Sequence, residues 1–97
     1  MFIKKEINNY ICTLKIKRED ALNSVNPAVL KELYYEVEIA KESRNVSIII
    51  ITGSGEKSFI AGADIKLMEK LDKKGAVEFG MLGQKVANAI ESSPKPI

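Results

Sequence analysis

Val46-Ser47-Ile48-Ile49-Ile50-Ile51-Thr52 is an uncharged, largely β-branched run, with Ser43-Arg44-Asn45 before it and Gly53-Ser54-Gly55 after it. Branching at Cβ suits an extended backbone, and an unbroken apolar run predicts a strand buried on both faces. Upstream, Asn26-Pro27 offers an N-cap followed by a residue preset for the first helical turn. Val29, Leu30, Leu33, Tyr34 and Val37 then recur at helical spacing, which predicts an amphipathic helix over about 27–43. A strand that follows a helix most simply lies parallel to an earlier strand, because a crossover returns the chain in the same direction. Residues 2–7 and 10–17 supply that earlier pairing as a hairpin around Asn8-Asn9, since Asn tolerates positive φ. Tyr10, Cys12, Leu14 and Ile16 fall on one face of its second strand, and Ile11, Thr13, Lys15 and Lys17 on the other. The fold class is α/β, in the order β-β-α-β-α-α.

Residues 18–26 read as a loop, and Gly53 to Lys57 as a turn. Ser58 to Ala63 is irregular or extended. Asp64 is placed to cap a short helix over 65–71. A longer helix over 74–92 turns Val77, Met81, the stem of Lys85, Val86, Ala89 and Ile90 inward. Ser93-Pro94-Lys95-Pro96-Ile97 excludes helix and has the character of a linker entering a new strand. The expectation is one domain portion, 1–97, truncated at its C-terminal end.

The chain has 97 residues, enough for one domain and too few for two. Hydrophobic residues at 45% and charged residues at 29% are a globular rather than a disordered balance. Fifteen basic and thirteen acidic residues are intermixed for a net charge of +2, which argues against nucleic acid as a partner. Cys12 is the single cysteine, so no internal disulfide is possible; a buried strand thiol in a reducing compartment is the expectation. The absence of histidine removes the usual general base and the usual metal ligand, so no metal site is expected. The N-terminus has no signal-peptide core, and no apolar run reaches the length of a membrane span. A cytoplasmic protein with no membrane partner is expected.

Two motifs bear on chemistry. Gly53-Ser54-Gly55-Glu56-Lys57-Ser58 imitates a phosphate loop, but Glu56 separates Gly55 from Lys57 and no glycine stands at the upstream position, so it reads as a strand-exit turn. Phe59-Ile60-Ala61-Gly62-Ala63-Asp64-Ile65 carries two readings. Small residues permit close approach of another group, and N–H groups at a helix start favour an anion. Equally, the same residues serve a tightly packed helix entry.

In order and spacing, these segments resemble one family. Arg18-Glu19-Asp20-Ala21-Leu22-Asn23 is similar to an Arg-Pro-x-Ala-Leu-Asn loop, and Ile48 to Gly53 to an apolar strand ending in Thr-Gly. Lys57-Ser58-Phe59-Ile60-Ala61-Gly62-Ala63-Asp64-Ile65-Lys66 resembles Lys-x-Phe-x-Ala-Gly-Ala-Asp-Ile, and Lys95-Pro96-Ile97 resembles Lys-Pro-Val. The family is the crotonase (enoyl-CoA hydratase/isomerase) superfamily, and the likeness is greatest to short-chain enoyl-CoA hydratases and 3-hydroxybutyryl-CoA dehydratases. It departs at Glu19, where the family often has proline.

The resemblance implies a spiral of ββα units, of which the chain supplies a little more than the first turn. It implies reversible hydration of trans-2-enoyl-CoA to 3-hydroxyacyl-CoA, a hydro-lyase reaction of fatty-acid or butanoate metabolism. The acyl-CoA thioester is the partner, and no cofactor is needed because coenzyme A is part of the substrate. The Ala63 N–H is implied as a donor to the thioester oxygen. The carbonyls of Ala61 and Ala63 are implied to receive the adenine amino group. Across Gly62, the segment continues into Asp64, Ile65 and Lys66 along adenine and ribose, with Lys66 near phosphate. Arg18, Ala21 and Leu22 are implied along pantetheine and diphosphate, Lys57 at a phosphate, and Met68 at the acyl chain. The family's two glutamates and its second oxyanion donor would lie beyond residue 97, so the chain by itself is expected to be inactive. The full-length enzyme is expected to be a homo-oligomer, a trimer or dimer of trimers. Double-bond isomerisation within the same superfamily, and a non-catalytic CoA-binding or oligomerising module, are the alternatives.

Overall fold

The computed structural model describes residues 1–97, and its centre is β2 (Ile11–Ile16). Alternation along this strand places Cys12, Leu14 and Ile16 on one face, all fully buried. β1 (Ile3–Asn8) pairs with it antiparallel, from Ile3 opposite Ile16 to Asn8 opposite Ile11. β3 (Ile48–Gly53) lies parallel on the other side, from Ile48 beside Ile11 to Gly53 beside Ile16. The sheet order is therefore β1-β2-β3, with the one parallel pair that the helix crossover requires.

That crossover is α1 (Pro27–Glu42). Asn26 caps it, its side chain accepting from the Val29 N–H at 2.9 Å. Val29, Leu30, Leu33, Val37 and Ala40 form its buried stripe and meet Cys12, Leu14, Ile16 and Ile49 in one core. Glu32 reaches from the same helix to accept from the N–H groups of Phe2 and Ile3 at 2.9 and 2.7 Å, which anchors the start of β1. Burial in this core raises the Cys12 thiol above its ordinary pKa, so it is an unreactive packing residue. A one-turn helix, α2 (Ile65–Met68), and then α3 (Lys73–Glu91) follow β3. Asp72 caps α3 through the Gly75 N–H, and the helix packs on α1 through Val86 and Ala89. No helix is long and apolar enough to cross a membrane.

The C-terminal residues are held from two directions. The Lys95 ammonium donates to the carbonyls of Ala40 and Ser43 at 2.8 and 2.7 Å, adding a second donor to carbonyls that each accept one long backbone bond at the end of α1. The Pro96 carbonyl accepts from the Ile49 N–H at 2.9 Å, so this residue lies against the outer edge of β3.

Several local expectations are corrected. The hairpin turn is Asn9-Tyr10, with φ of 51° and 64°, one residue later than Asn8-Asn9; Tyr10 leaves the strand and is exposed. A two-residue turn with both central residues left-handed matches the twist of paired strands, and register with Cys12 inside requires it here. β3 is buried on one face only, since Ile48 and Ile50 are 42% and 43% exposed, because no other element covers that side of the sheet. Residues 18–26 contain a short 3-10 turn, Glu19–Ala21, and α2 is shorter than 65–71. In α3, Val77 and Met81 are exposed, and the inward stripe runs through Phe79, Leu82, Val86, Ala89 and Ile90. Both stripes have helical spacing, so periodicity alone admits either. The Lys85 ammonium sits 4.4 Å from the centre of the Tyr34 ring, spanning the rim rather than the core.

Candidate functional site

Two loops carry the residues singled out from the sequence, and backbone hydrogen bonds fasten one to the other. After the 3-10 turn, Leu22 and Asn23 adopt consecutive left-handed conformations, φ 53° and 59°. For leucine this is costly by about 1–2 kcal/mol, and it turns the Leu22 carbonyl toward the second loop. There it accepts from the Ala61 N–H at 3.2 Å and from the Ser58 hydroxyl. Asn23, almost wholly buried, accepts from the Arg18 N–H at 2.9 Å. Its amide donates to the carbonyls of Ser54 and Ser58 at 2.9 and 3.1 Å.

Val25 completes the seam. Its N–H donates to the Gly62 carbonyl, and its carbonyl accepts from the Asp64 N–H, both at 2.9 Å, in a single parallel bridge opposite Ala63. Planar trans peptides then fix the remaining groups. The Gly62 carbonyl points at Val25, so the Ala63 N–H on the same peptide points away. The Asp64 N–H points at Val25, so the Ala63 carbonyl points away as well. The Ala63 N–H makes no hydrogen bond within the protein, and the carbonyls of Ala61 and Ala63 accept from no backbone donor. Gly62, with φ 93°, allows the bend at which these groups diverge. Ala61 and Gly62 are exposed and Ala63 is partly buried.

Below this seam, the Arg18 guanidinium donates to the Asp64 carboxylate at 2.9 Å and to the Ser24 carbonyl and hydroxyl at 3.0 and 3.2 Å. Both charged side chains are largely shielded, at 17% and 18% exposed. The other Asp64 oxygen accepts from the Leu67 N–H at 3.2 Å, so this carboxylate occupies the start of α2 itself. The hydrogen bond from Arg18, and then that from Leu67, hold the Asp64 carboxyl below the usual carboxylate range. A depressed pKa means that the pair is intact at neutral pH and is lost only as pH falls through the lowered value.

The other expected residues spread around this seam. Ala21 is partly buried and Leu22 half-exposed. Ile65, Lys66 and Met68 stand exposed on α2, and Glu69 just after it is exposed too. Lys57 is exposed and shares with Leu22 a cleft of about 330 Å³ that also contains Glu19, Ser54 and Ser58. Glu19 accepts there from the Ser54 hydroxyl. A larger concavity, about 1030 Å³, lies between α1 and α3 and contains none of the expected site residues. No group of three or more Cys, Asp or Glu side chains is arranged to hold a metal ion. Sequence reasoning did not single out Asn23, Val25 or Ser58. The signal for Asn23 was available, since Asn is the common residue type for a left-handed position in a loop.

A sequence model described as Enoyl-CoA hydratase/isomerase matches residues 6–97. Over 90% of its length the chain is 45% identical to a crotonyl-CoA hydratase of Syntrophomonas wolfei, and over 95% it is 38% identical to a short-chain-enoyl-CoA hydratase of Clostridium acetobutylicum. It spans 34% and 38% of the lengths of these two relatives. The fold overlays 38% of the crystal structure of an enoyl-CoA hydratase from Bacillus anthracis with a TM-score of 0.94, at 27% identity and covering 99% of this chain.

Proposed function

The chain belongs to the enoyl-CoA hydratase/isomerase family, and from that premise we propose that it is the CoA-binding portion of a short-chain enoyl-CoA hydratase, acting on crotonyl-CoA or 3-hydroxybutyryl-CoA. The observation that carries this reading is the Ala63 N–H, unpaired while the peptide groups on either side of it are committed to Val25. Adding water across an α,β-unsaturated thioester builds negative charge on the carbonyl oxygen. A fixed N–H aimed at that oxygen meets the charge without reorganising, and one such donor is worth about 3 kcal/mol of barrier. A backbone donor leaves small side chains at 61–63, which keep the approach open. The carbonyls of Ala61 and Ala63 suit the adenine amino group, with Asp64 and Ile65 beside it and Lys66 and Lys57 free to meet phosphates. Ala21 and Leu22 line the pantetheine side, and Met68 the acyl side.

Hydration also needs groups that give and take protons. Asp64 is bound to Arg18 and the Leu67 N–H, and Glu69 is exposed to solvent, so neither carboxylate is placed for that task. The proton-moving glutamates and the second oxyanion donor belong to the rest of the enzyme, which needs no cofactor and assembles as a homo-oligomer in the cytoplasm. The expected result for the purified 97-residue chain is saturable binding of crotonyl-CoA by calorimetry with no hydration above background. Turnover near the rate of an intact hydratase would refute the division of labour, and absence of any CoA binding would refute the binding role.

A further inference from the structure

Arg18 has the charge to meet a CoA phosphate, yet its guanidinium is already engaged on three protein oxygens. We infer that Arg18 is a positioning residue which, through Asp64, sets the direction of the Ala63 N–H. The inference rests on the acyl-CoA reading for its functional meaning and on the geometry alone for its structural part.

The Asp64 carboxylate is used twice. One oxygen fixes the first turn of α2 through Leu67, and the other is held by Arg18. Asp64 is the residue next to Ala63, and its own N–H is tied to the Val25 carbonyl. Arg18 grips the first loop at Ser24, next to Val25, while gripping Asp64 on the second. The ion pair therefore closes a ring around the bridge between Val25 and Ala63, clamping it from the side-chain layer. Without the clamp, the two backbone bonds at Val25 and the longer one from the Ala61 N–H to Leu22 would have to hold the peptide that carries the free N–H, next to a glycine with positive φ. Only the start of a one-turn helix lies on the other side. Lysine cannot substitute fully, because one ammonium cannot span Ser24 and Asp64 with the planar fork of a guanidinium. Shielding of both side chains keeps water from competing for the pair.

The test uses Arg18→Met, Asp64→Asn and the double variant of the 97-residue chain. Asparagine keeps an oxygen for the Leu67 N–H, so α2 retains its cap while the ion pair is lost. In the ligand-free chain, nitrogen-15 relaxation is expected to show Ala61–Ala63 loosened in each single variant and no looser in the double. The amides of β1, β2 and α1 stay unchanged. In calorimetry, the preference of Arg18→Met for crotonyl-CoA over free CoA falls roughly tenfold, the loss of about one hydrogen bond to the thioester oxygen, while its affinity for free CoA holds. If Arg18→Met lowers both affinities equally, and adds to Asp64→Asn in the double variant, Arg18 contacts a phosphate directly and the inference is wrong. Unchanged Ala61–Ala63 relaxation in both single variants overturns it too, whether or not the chain binds CoA. A wild-type chain without thioester preference speaks against the acyl-CoA reading and leaves the relaxation result to decide the clamp. Should Arg18→Met fail to fold, Asp64→Asn carries the relaxation comparison in the ligand-free chain.

Discussion

Gly53→Ala is expected to destabilise the chain by about 3 kcal/mol or more, a large share of the roughly 5–10 kcal/mol available to a domain of this size. A methyl carbon at this position would lie 2.2 Å from the Phe59 carbonyl oxygen, 2.6 Å from that of Ser58 and 2.8 Å from the Asn23 amide nitrogen. Two of these are backbone atoms that cannot rotate away. The second loop crosses directly over the end of β3, and Gly53 is the residue that admits it. Relief would require the 58–59 segment to lift, which breaks the bonds from Asn23 and Ser58 and releases the seam above them. Urea unfolding measures the cost. An alanine variant within about 0.5 kcal/mol of wild type, the range of an ordinary surface change, would show that the crossing is looser than this.

Asn23→Ala is expected to cost about 4 kcal/mol by the same measurement. Three hydrogen bonds disappear and leave the Ser54 carbonyl without a partner in a buried place and the Arg18 N–H and Ser58 carbonyl in partly buried ones, at about 1–3 kcal/mol for each stranded group. Alanine also tolerates φ of 59° less well than asparagine. Asn23→Asp is no remedy, because a carboxylate would face the two carbonyl oxygens that the amide now satisfies. Stability unchanged in Asn23→Ala would mean that the backbone bonds at Leu22 and Val25 hold the loops without it.

How far these features could be read from the chain depends on the range of the forces that fix them. Helix α1 was legible because Asn26-Pro27 and the 29-30-33-37 spacing are local signals, and the parallel placement of β3 followed from chain connectivity. The exposure of Ile48 and Ile50 was not legible, since it depends on which elements cover the outer sheet face. The choice between the stripe through Met81 and the stripe through Leu82 turns on where α1 meets α3, and sequence period does not carry that information. At the site, Ala61–Asp64 stood out by its small residues. An anion at the start of α2 was half of that reading, yet Asp64 fills the start with its own carboxylate and the free donor lies one peptide earlier. Pairing of Arg18 with Asp64, across 46 positions of sequence, had no local signal at all.

The proposed contact of the Ala63 N–H with a thioester oxygen can be watched by amide NMR as the nitrogen-15-labelled chain is titrated with crotonyl-CoA. The expected result is a saturable downfield shift of the Ala63 amide proton larger than those of Gly62 and Asp64. Free CoA, which lacks the carbonyl, should move Ile65 and Lys66 and leave Ala63 almost unmoved. A chain that saturates with crotonyl-CoA while Ala63 stays in place, or in which CoA shifts Ala63 equally, would contradict it.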